Sequence, residues 1–169
     1  VVDGENSTLS SLVIDVAAGS ESISQLIDLS FDTPNGEFTF PIRVVIPKNV
    51  EKPPVFLHIS FNPLSPVPLE EILDNGFAYV DFFYEDIERD ANRPEHYFAN
   101  FKGGLGEKYF GGRKRTKTEW GKVGLWAFAA SRVMDYLQTR DDINTQRIGV
   151  VGHSRLGKTA LWTKAQDPR

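Results

Sequence analysis

The chain has 169 residues, of which 40% are hydrophobic, 12% aromatic and 25% charged, a composition typical of one globular domain with a sizeable core. Nineteen basic and 23 acidic residues give a formal net charge of −4, so we expect no nucleic-acid partner. The lack of cysteine excludes disulfides, thiolate metal sites and a cysteine nucleophile. No apolar run approaches the roughly 18–20 residues of a membrane span, so no membrane partner is expected either, and the compartment stays undetermined.

The first predicted elements are two strands joined by a tight turn. Apolar side chains alternate along residues 22–31, at Ile23, Ile27, Leu29 and Phe31, and again along residues 38–46, as on strands with one buried face. The intervening residues, DTPNG, have turn chemistry, which predicts an antiparallel hairpin. We assign no element to the N-terminal segment 1–21 and place residues 22–169 in one domain.

The rest of the chain alternates buried strands with helices. Continuous apolar runs at residues 55–59, 77–80 and 148–151 predict central strands covered on both faces. Helices are predicted over residues 68–75, ended by Gly76, and over about 118–140, with Trp126 and Met134 of the longer helix in the core. This order predicts an α/β fold with a mostly parallel sheet, an N-terminal antiparallel hairpin and helices on both faces.

An extended loop is expected over about residues 85–117, and long loops are often functional. Its glycines lack the G-x-G-x-x-G spacing of a dinucleotide site. Its basic run, residues 113–117 (RKRTK), suits either an anionic ligand or a solvated surface, and the sequence leaves both open.

Residues 147–159 (RIGVVGHSRLGKT) predict a buried strand, a sharp turn and a helix. One interpretation is a nucleophile elbow, in which a strained turn presents the hydroxyl of Ser154 and nearby glycines let the backbone pass closely. The amide of Arg155, at the helix N-terminus, would then form half of an oxyanion hole. A plainer interpretation is that Ser154 only caps the helix.

The same residues also match a phosphate loop, because residues 152–159 fit G-x-x-x-x-G-K-[ST] letter for letter. Lys158 would then reach phosphates and Thr159 would hold magnesium. The elbow pattern is imperfect, since Leu156 stands where glycine is expected and the glycine comes one residue later. The position of the motif in the chain nevertheless favours the elbow, because a phosphate loop usually follows an early strand, whereas about 145 residues precede this motif and ten follow it. The magnesium-binding Asp of a phosphate-loop protein normally ends a later strand, and here the one comparable acid, Asp81, comes earlier in the chain.

Residues 152–158 (GHSRLGK) resemble the G-x-S-R-x-G-K signature of bacterial glucuronoyl esterases and related carbohydrate esterases of the α/β-hydrolase fold. The late glycine belongs to that signature. Similarity extends to residues 120–127 (WGKVGLWA), 76–80 (GFAYV) and 84–87 (YEDI), and it covers roughly residues 38–169, with the signature as its most specific part.

The resemblance implies a serine-dependent hydrolase of a carbohydrate ester, a glucuronoyl or acetyl ester of plant cell-wall material. Ser154 would be the nucleophile, and Arg155 would support the oxyanion. Lys158 would contact sugar hydroxyls or the uronate, and Phe61, just after a central strand, would lend the second oxyanion amide. No cofactor, metal or obligate protein partner is implied.

The triad of such hydrolases runs serine, acid, histidine, but after Ser154 the chain offers one acid, Asp167, and no histidine. Adjacent side chains diverge on an extended segment, so His153 is expected beneath the turn; His58 is expected to be satisfied in the core, and His96 lies in the long loop. We therefore expect a truncated α/β-hydrolase fold, the N-terminal part of a domain that carries the acid and base elsewhere. A non-catalytic remnant remains the alternative.

Overall fold

A computed structural model describes the backbone of residues 10–16 and all of residues 22–63, 66–90 and 101–169. His96 lies outside the described residues, as does part of the predicted loop. The elements in chain order are β1 (Ser10–Val16), β2 (Ser22–Thr33), β3 (Gly36–Pro47), β4 (Val55–Ser60), α1 (Leu69–Asp74), β5 (Ala78–Phe83), α2 (Tyr84–Ile87), α3 (Leu105–Phe110), α4 (Lys122–Gln138), β6 (Ile148–Gly152) and α5 (Arg155–Gln166).

The six strands form one mixed sheet in the order β1-β2-β3-β5-β4-β6. The predicted hairpin is confirmed as the antiparallel pair β2–β3, and Ile27, Leu29 and Phe31 are buried. Ile23 differs from its predicted burial, because it lies at the outer end of β2 and is exposed. β1 adds an antiparallel strand within segment 1–21, where the sequence predicts no element.

The predicted parallel sheet is confined to β5, β4 and β6, since β3 pairs with β5 in the antiparallel sense. From β4 the chain crosses through α1 to β5 on one side, and from β5 it crosses through α4 to β6 on the other side of β4. Crossovers between parallel strands are right-handed in nearly all proteins, and two such crossovers in opposite directions put α1 and α4 on opposite faces of the sheet. The carboxyl ends of β4 and β6 therefore flank a crevice of the kind where open α/β sheets bind ligands.

Helix α4 supplies much of the core. Trp126 and Met134 are buried as predicted, and the indole N–H of Trp126 donates to the carbonyl oxygen of Glu88 over 2.9 Å. The helix begins at Lys122, four residues later than predicted. Gly76 follows α1 with a φ of 79°, a left-handed conformation that suits glycine and ends the helix as predicted. None of the described helices is both long and apolar enough to span a membrane.

The prediction that β6 is covered on both faces is wrong for the described part of the chain. There β6 pairs with β4 alone and forms the edge of the sheet. Gly149 and Val151, which alternate with the half-buried residues of β6, are exposed. An apolar run indicates that a strand can be buried, but its neighbours decide whether it is.

Candidate functional site

Aromatic and charged side chains from three strands meet at the carboxyl end of the parallel sheet. Phe61 follows β4, Tyr84 follows β5, and His153 follows β6. The ring of Phe61 lies 5.3 Å from that of Tyr84 and 6.3 Å from that of His153, in both cases edge to face. The guanidinium carbon of Arg155 lies 5.6 Å from the centre of the Phe61 ring. The structure thus brings together two of the predicted site residues, Phe61 and Arg155.

Ser154 stands at the turn between β6 and α5 in a conformation that is rare for a residue with a side chain. Its φ is 54° and its ψ is −119°, outside the main allowed regions, and such a conformation costs on the order of 1–3 kcal/mol. The residue is exposed, and its side chain makes no capping hydrogen bond to α5. The hydroxyl is thus presented to solvent, and the interpretation that Ser154 serves only as a helix cap is wrong.

Two glycines allow the strand and the helix to cross at this turn. A Cβ atom on Gly152 would lie 2.4 Å from the carbonyl oxygen of Leu156, and one on Gly157 would lie 3.1 Å from the carbonyl oxygen of Gly152. Leu156, which occupies the position where the elbow pattern expects glycine, points into the core and is completely buried. Gly157, the glycine that comes one residue later than the elbow pattern expects, is therefore the residue of α5 that faces the end of β6.

In a phosphate loop the backbone amides of the residues before the lysine are free to bind phosphate, but here these residues already form the first turn of α5. The N–H of Leu156 donates to the His153 carbonyl, and that of Lys158 donates to the Ser154 carbonyl. Thr159 is buried, and its hydroxyl donates to the carbonyl oxygen of Arg155. Its hydroxyl is thus not presented to magnesium, so the letter match to a phosphate loop lacks the required geometry.

The two cations of this turn have different surroundings. The guanidinium of Arg155 forms an ion pair with the carboxylate of Asp90, whereas Lys158, one turn further along α5, is exposed. A positive charge at a helix N-terminus is disfavoured by roughly 0.3–1 kcal/mol. The Asp90 carboxylate offsets that penalty for Arg155.

The described histidines do not place a base beside Ser154. His153 is exposed and contacts Phe61, so the prediction that it packs beneath the turn is wrong: the strained turn directs both residues outward. His58 shares a 2.6 Å hydrogen bond between Nδ1 and the Tyr79 hydroxyl, so it has a polar partner as expected, although it is half-buried rather than in the core; partial burial lowers its pKa. Asp167 pairs with Arg169 at the opposite end of α5.

The comparison with known proteins decides the family, because the sequence family described as "Glucuronyl esterase, fungi" matches residues 29–169. The chain belongs to the glucuronoyl esterase family. A carbohydrate esterase, MZ0003, from an unknown prokaryotic organism is 36% identical over 104 residues, which are 60% of this chain and 22% of that protein.

Solved glucuronoyl esterases have the same fold. The enzyme from Teredinibacter turnerae T7901 superimposes with a TM-score of 0.78 at 24% identity, over 99% of this chain and 45% of that one. A glucuronoyl esterase from Solibacter usitatus gives 0.74 at 26% identity, over 99% of this chain and 51% of that one. The chain thus spans about half the length of these solved relatives.

Two acidic residues near the site of this glucuronoyl esterase family member were not predicted from the sequence. Asp90 lies between Arg155 and Lys122, and its Oδ1 is 3.4 Å from the Lys122 ammonium nitrogen. Glu88 is buried, accepts the amide of Gly106 over 2.9 Å, and has a pKa raised mainly by burial. No motif distinguishes these two acids from the other 21 in the chain.

The basic run and a pair of neighbouring acids on α1 lie on the surface. In the basic run, Arg113 pairs with Glu119, and this contact lowers the Glu119 pKa to about 2. The consecutive acids Glu70 and Glu71 are exposed. Among the described residues, no cluster of three or more histidine or acidic side chains could hold a metal ion.

Proposed function

We propose that this chain carries the nucleophile of a serine-dependent carboxylic ester hydrolase that acts on a glucuronoyl or acetyl ester of plant cell-wall carbohydrate. The observation that carries the proposal is the strained, exposed Ser154 at the carboxyl end of β6. A cost of this size persists only where the surrounding structure imposes it, and such strain concentrates at functional sites.

In the proposed acylation step, the Ser154 oxygen attacks the ester carbonyl carbon, and the carbonyl oxygen becomes an oxyanion. The N–H of Arg155 at the positive end of α5 and the N–H of Phe61 after β4 would donate to that oxygen. The Arg155 guanidinium would add positive charge beside it. The oxyanion then collapses, the ester C–O bond breaks, and the alcohol leaves with the proton that a general base took from the serine hydroxyl. Water, deprotonated by the same base, hydrolyses the acyl-enzyme, which frees the acid and restores the serine.

The exposed cation of Lys158 supports a polar, sugar-bearing substrate. The N–H of Lys158 donates to the carbonyl oxygen of Ser154, so Lys158 lies in the first turn of α5, next to the Ser154 turn, and its side chain is exposed. Its ammonium group can donate hydrogen bonds to sugar hydroxyls or to a uronate. In the uronate case the sugar acid is the acyl group, and the names of the matched relatives support this class.

The proposed reaction requires a general base, since the serine hydroxyl is a weak nucleophile at neutral pH. His58 is bonded to Tyr79 and, as a residue of β4, belongs to the sheet itself. We propose that the acid and the histidine come from the remainder of a longer polypeptide, in the serine, acid, histidine order of this fold.

The test is ester hydrolysis by the full natural polypeptide that contains these residues. Benzyl glucuronate and acetylated xylan serve as substrates, and Ser154→Ala is compared with Ser24→Ala, a change on the hairpin distant in the fold from the turn. We expect Ser154→Ala to reduce kcat by at least about a thousandfold and Ser24→Ala to leave it unchanged.

The outcomes separate the alternatives. Hydrolysis that depends on Ser154 with one ester alone would define the substrate. Hydrolysis unaffected by Ser154→Ala would overturn the proposed nucleophile. Failure of the wild type to hydrolyse either ester, with a folded structure retained, would favour the non-catalytic remnant.

A further inference from the structure

The Asp90 carboxylate contacts both Arg155, at the start of α5, and Lys122, at the start of α4. It follows α2, on the segment that leaves the carboxyl end of β5. Only 11% of its side chain is exposed. One carboxylate oxygen pairs with the guanidinium of Arg155 and the other lies 3.4 Å from the ammonium of Lys122, the first residue of α4.

The Arg155 guanidinium needs an acidic partner if it is to stay in one position beside the Ser154 turn. Its side chain is 42% exposed, and an exposed arginine samples many rotamers, whose restriction costs up to about 2 kcal/mol. Here the guanidinium is held on one side by the Asp90 carboxylate and lies over the ring of Phe61. The two contacts come from the segments that follow β5 and β4, so they fix the group relative to the sheet.

Phe61 is itself fixed in place. Its ring packs against Tyr84 and His153, and the Tyr84 ring packs in turn on the buried Trp126, at 5.1 Å. The surface on which the guanidinium rests is therefore connected to the core through aromatic contacts. Asp90 is tied to the same helix, α4, through Lys122.

We propose that Asp90 is a positioning residue for ester hydrolysis, which holds the guanidinium of Arg155 over Phe61 and beside the Ser154 turn. The proposal rests on the proposed function, since it assumes that Arg155 supports the oxyanion. Asp90 does not touch the substrate. It acts by lowering the number of positions that Arg155 occupies, and a displacement of about 1 Å in a catalytic group can reduce the rate about a hundredfold.

The first experiment tests the ion pair without relying on activity. Phenylglyoxal modifies exposed guanidinium groups, and the rate at Arg155 can be followed by mass mapping of its peptide. We expect Asp90→Asn to raise that rate severalfold, whereas Asp86→Asn, the same change at an exposed position of α2, leaves it unaltered. An equal rate in wild type and Asp90→Asn would overturn the proposal.

The second experiment tests the effect on hydrolysis by the full natural polypeptide. We expect Asp90→Asn to lower kcat about tenfold or more with KM within about twofold, and Asp86→Asn to leave both unchanged. In an Arg155→Ala background, Asp90→Asn should have no further effect on kcat, because the group that it positions is absent.

The results separate this proposal from the proposed function. Hydrolysis that depends on Ser154 but is unchanged by Asp90→Asn would overturn the positioning role alone. Equal losses from Asp90→Asn in the presence and absence of Arg155 would show a general structural role and would also overturn it. If Ser154→Ala has no effect, the proposed function fails, and the phenylglyoxal rates still decide whether Asp90 restrains Arg155.

Discussion

At the scale of single residues, the turn at Ser154 depends on the absence of a side chain two residues earlier. The carbonyl group of Leu156 lies so close to Gly152 that any Cβ there would contact backbone atoms at 2.4 and 2.6 Å. Backbone cannot move aside as the end of a flexible side chain can. The crossing of β6 and α5, and with it the strain at Ser154, therefore requires glycine at position 152.

We expect Gly152→Ala to destabilise the chain by about 1–3 kcal/mol or more, as for other overpacked sites, and to disturb the Ser154 turn. Gly149→Ala in the same strand is the matched control, because its new Cβ would meet the Phe56 ring at 3.9 Å, an ordinary contact. Urea denaturation followed by circular dichroism measures both free energies of unfolding. Equal stability of the two variants would contradict this account.

At the scale of elements, the junction between the antiparallel and parallel halves of the sheet carries a buried ion pair. Arg43 on β3 and Asp81 on β5 are opposite each other in the register, and two hydrogen bonds of 2.8 and 2.9 Å join them. The Asp81 side chain is 2% exposed. Because β3 and β5 pair over only a few residues, this contact fixes how the hairpin meets the central strands.

We expect Asp81→Asn to destabilise the chain by roughly 3–5 kcal/mol, because it leaves a largely buried guanidinium without its counter-charge. Asp142→Asn breaks a comparable pair with Arg140, but the Asp142 side chain is 44% exposed, so its loss should cost less than about 1 kcal/mol. Thermal and urea denaturation of both variants give the comparison. A small effect at both positions would contradict the importance of burial.

At the scale of the whole molecule, a half-buried histidine of β4 couples stability to pH near neutrality. Burial lowers the pKa of His58 below its ordinary value of 6.5; Asp81 opposes this shift and Arg43 adds to it. The unfolded chain therefore binds a proton at a higher pH than the folded chain does. The contribution of neutral His58 to stability is complete above pH 6.5 and is lost as the pH falls through the folded pKa.

We expect the free energy of unfolding to fall between about pH 7.5 and pH 5 more steeply in the wild type than in His58→Gln, which keeps a polar partner for Tyr79 but does not titrate. Urea denaturation at several pH values in that interval measures the two slopes. Other groups titrate equally in both proteins, so the difference isolates His58. Identical slopes would contradict the prediction.

Features that depend on local sterics and periodicity were predictable from the residues alone. The hairpin, the end of α1 at Gly76, the burial of Trp126 and the sharp turn at Ser154 are all present where the pattern predicts them. Each follows from a property of a few neighbouring residues: alternation on a strand, the freedom of glycine, or the spacing of one helical face. The same signature residues that indicated the family also produce the turn.

Contacts between segments that are distant in sequence became known from the folded chain alone. Two motifs compete for residues 152–159, the phosphate loop with a complete letter match and the elbow with an imperfect one. The start of α5 at Arg155 and the bond from the Thr159 hydroxyl to the Arg155 carbonyl oxygen separate them. The sequence likewise did not indicate that β6 is an edge strand among the described strands, that His153 faces outward or that Asp90 pairs with Arg155. Such contacts form because the sheet brings the ends of its strands together, and a local sequence pattern cannot predict which side chains then come into contact.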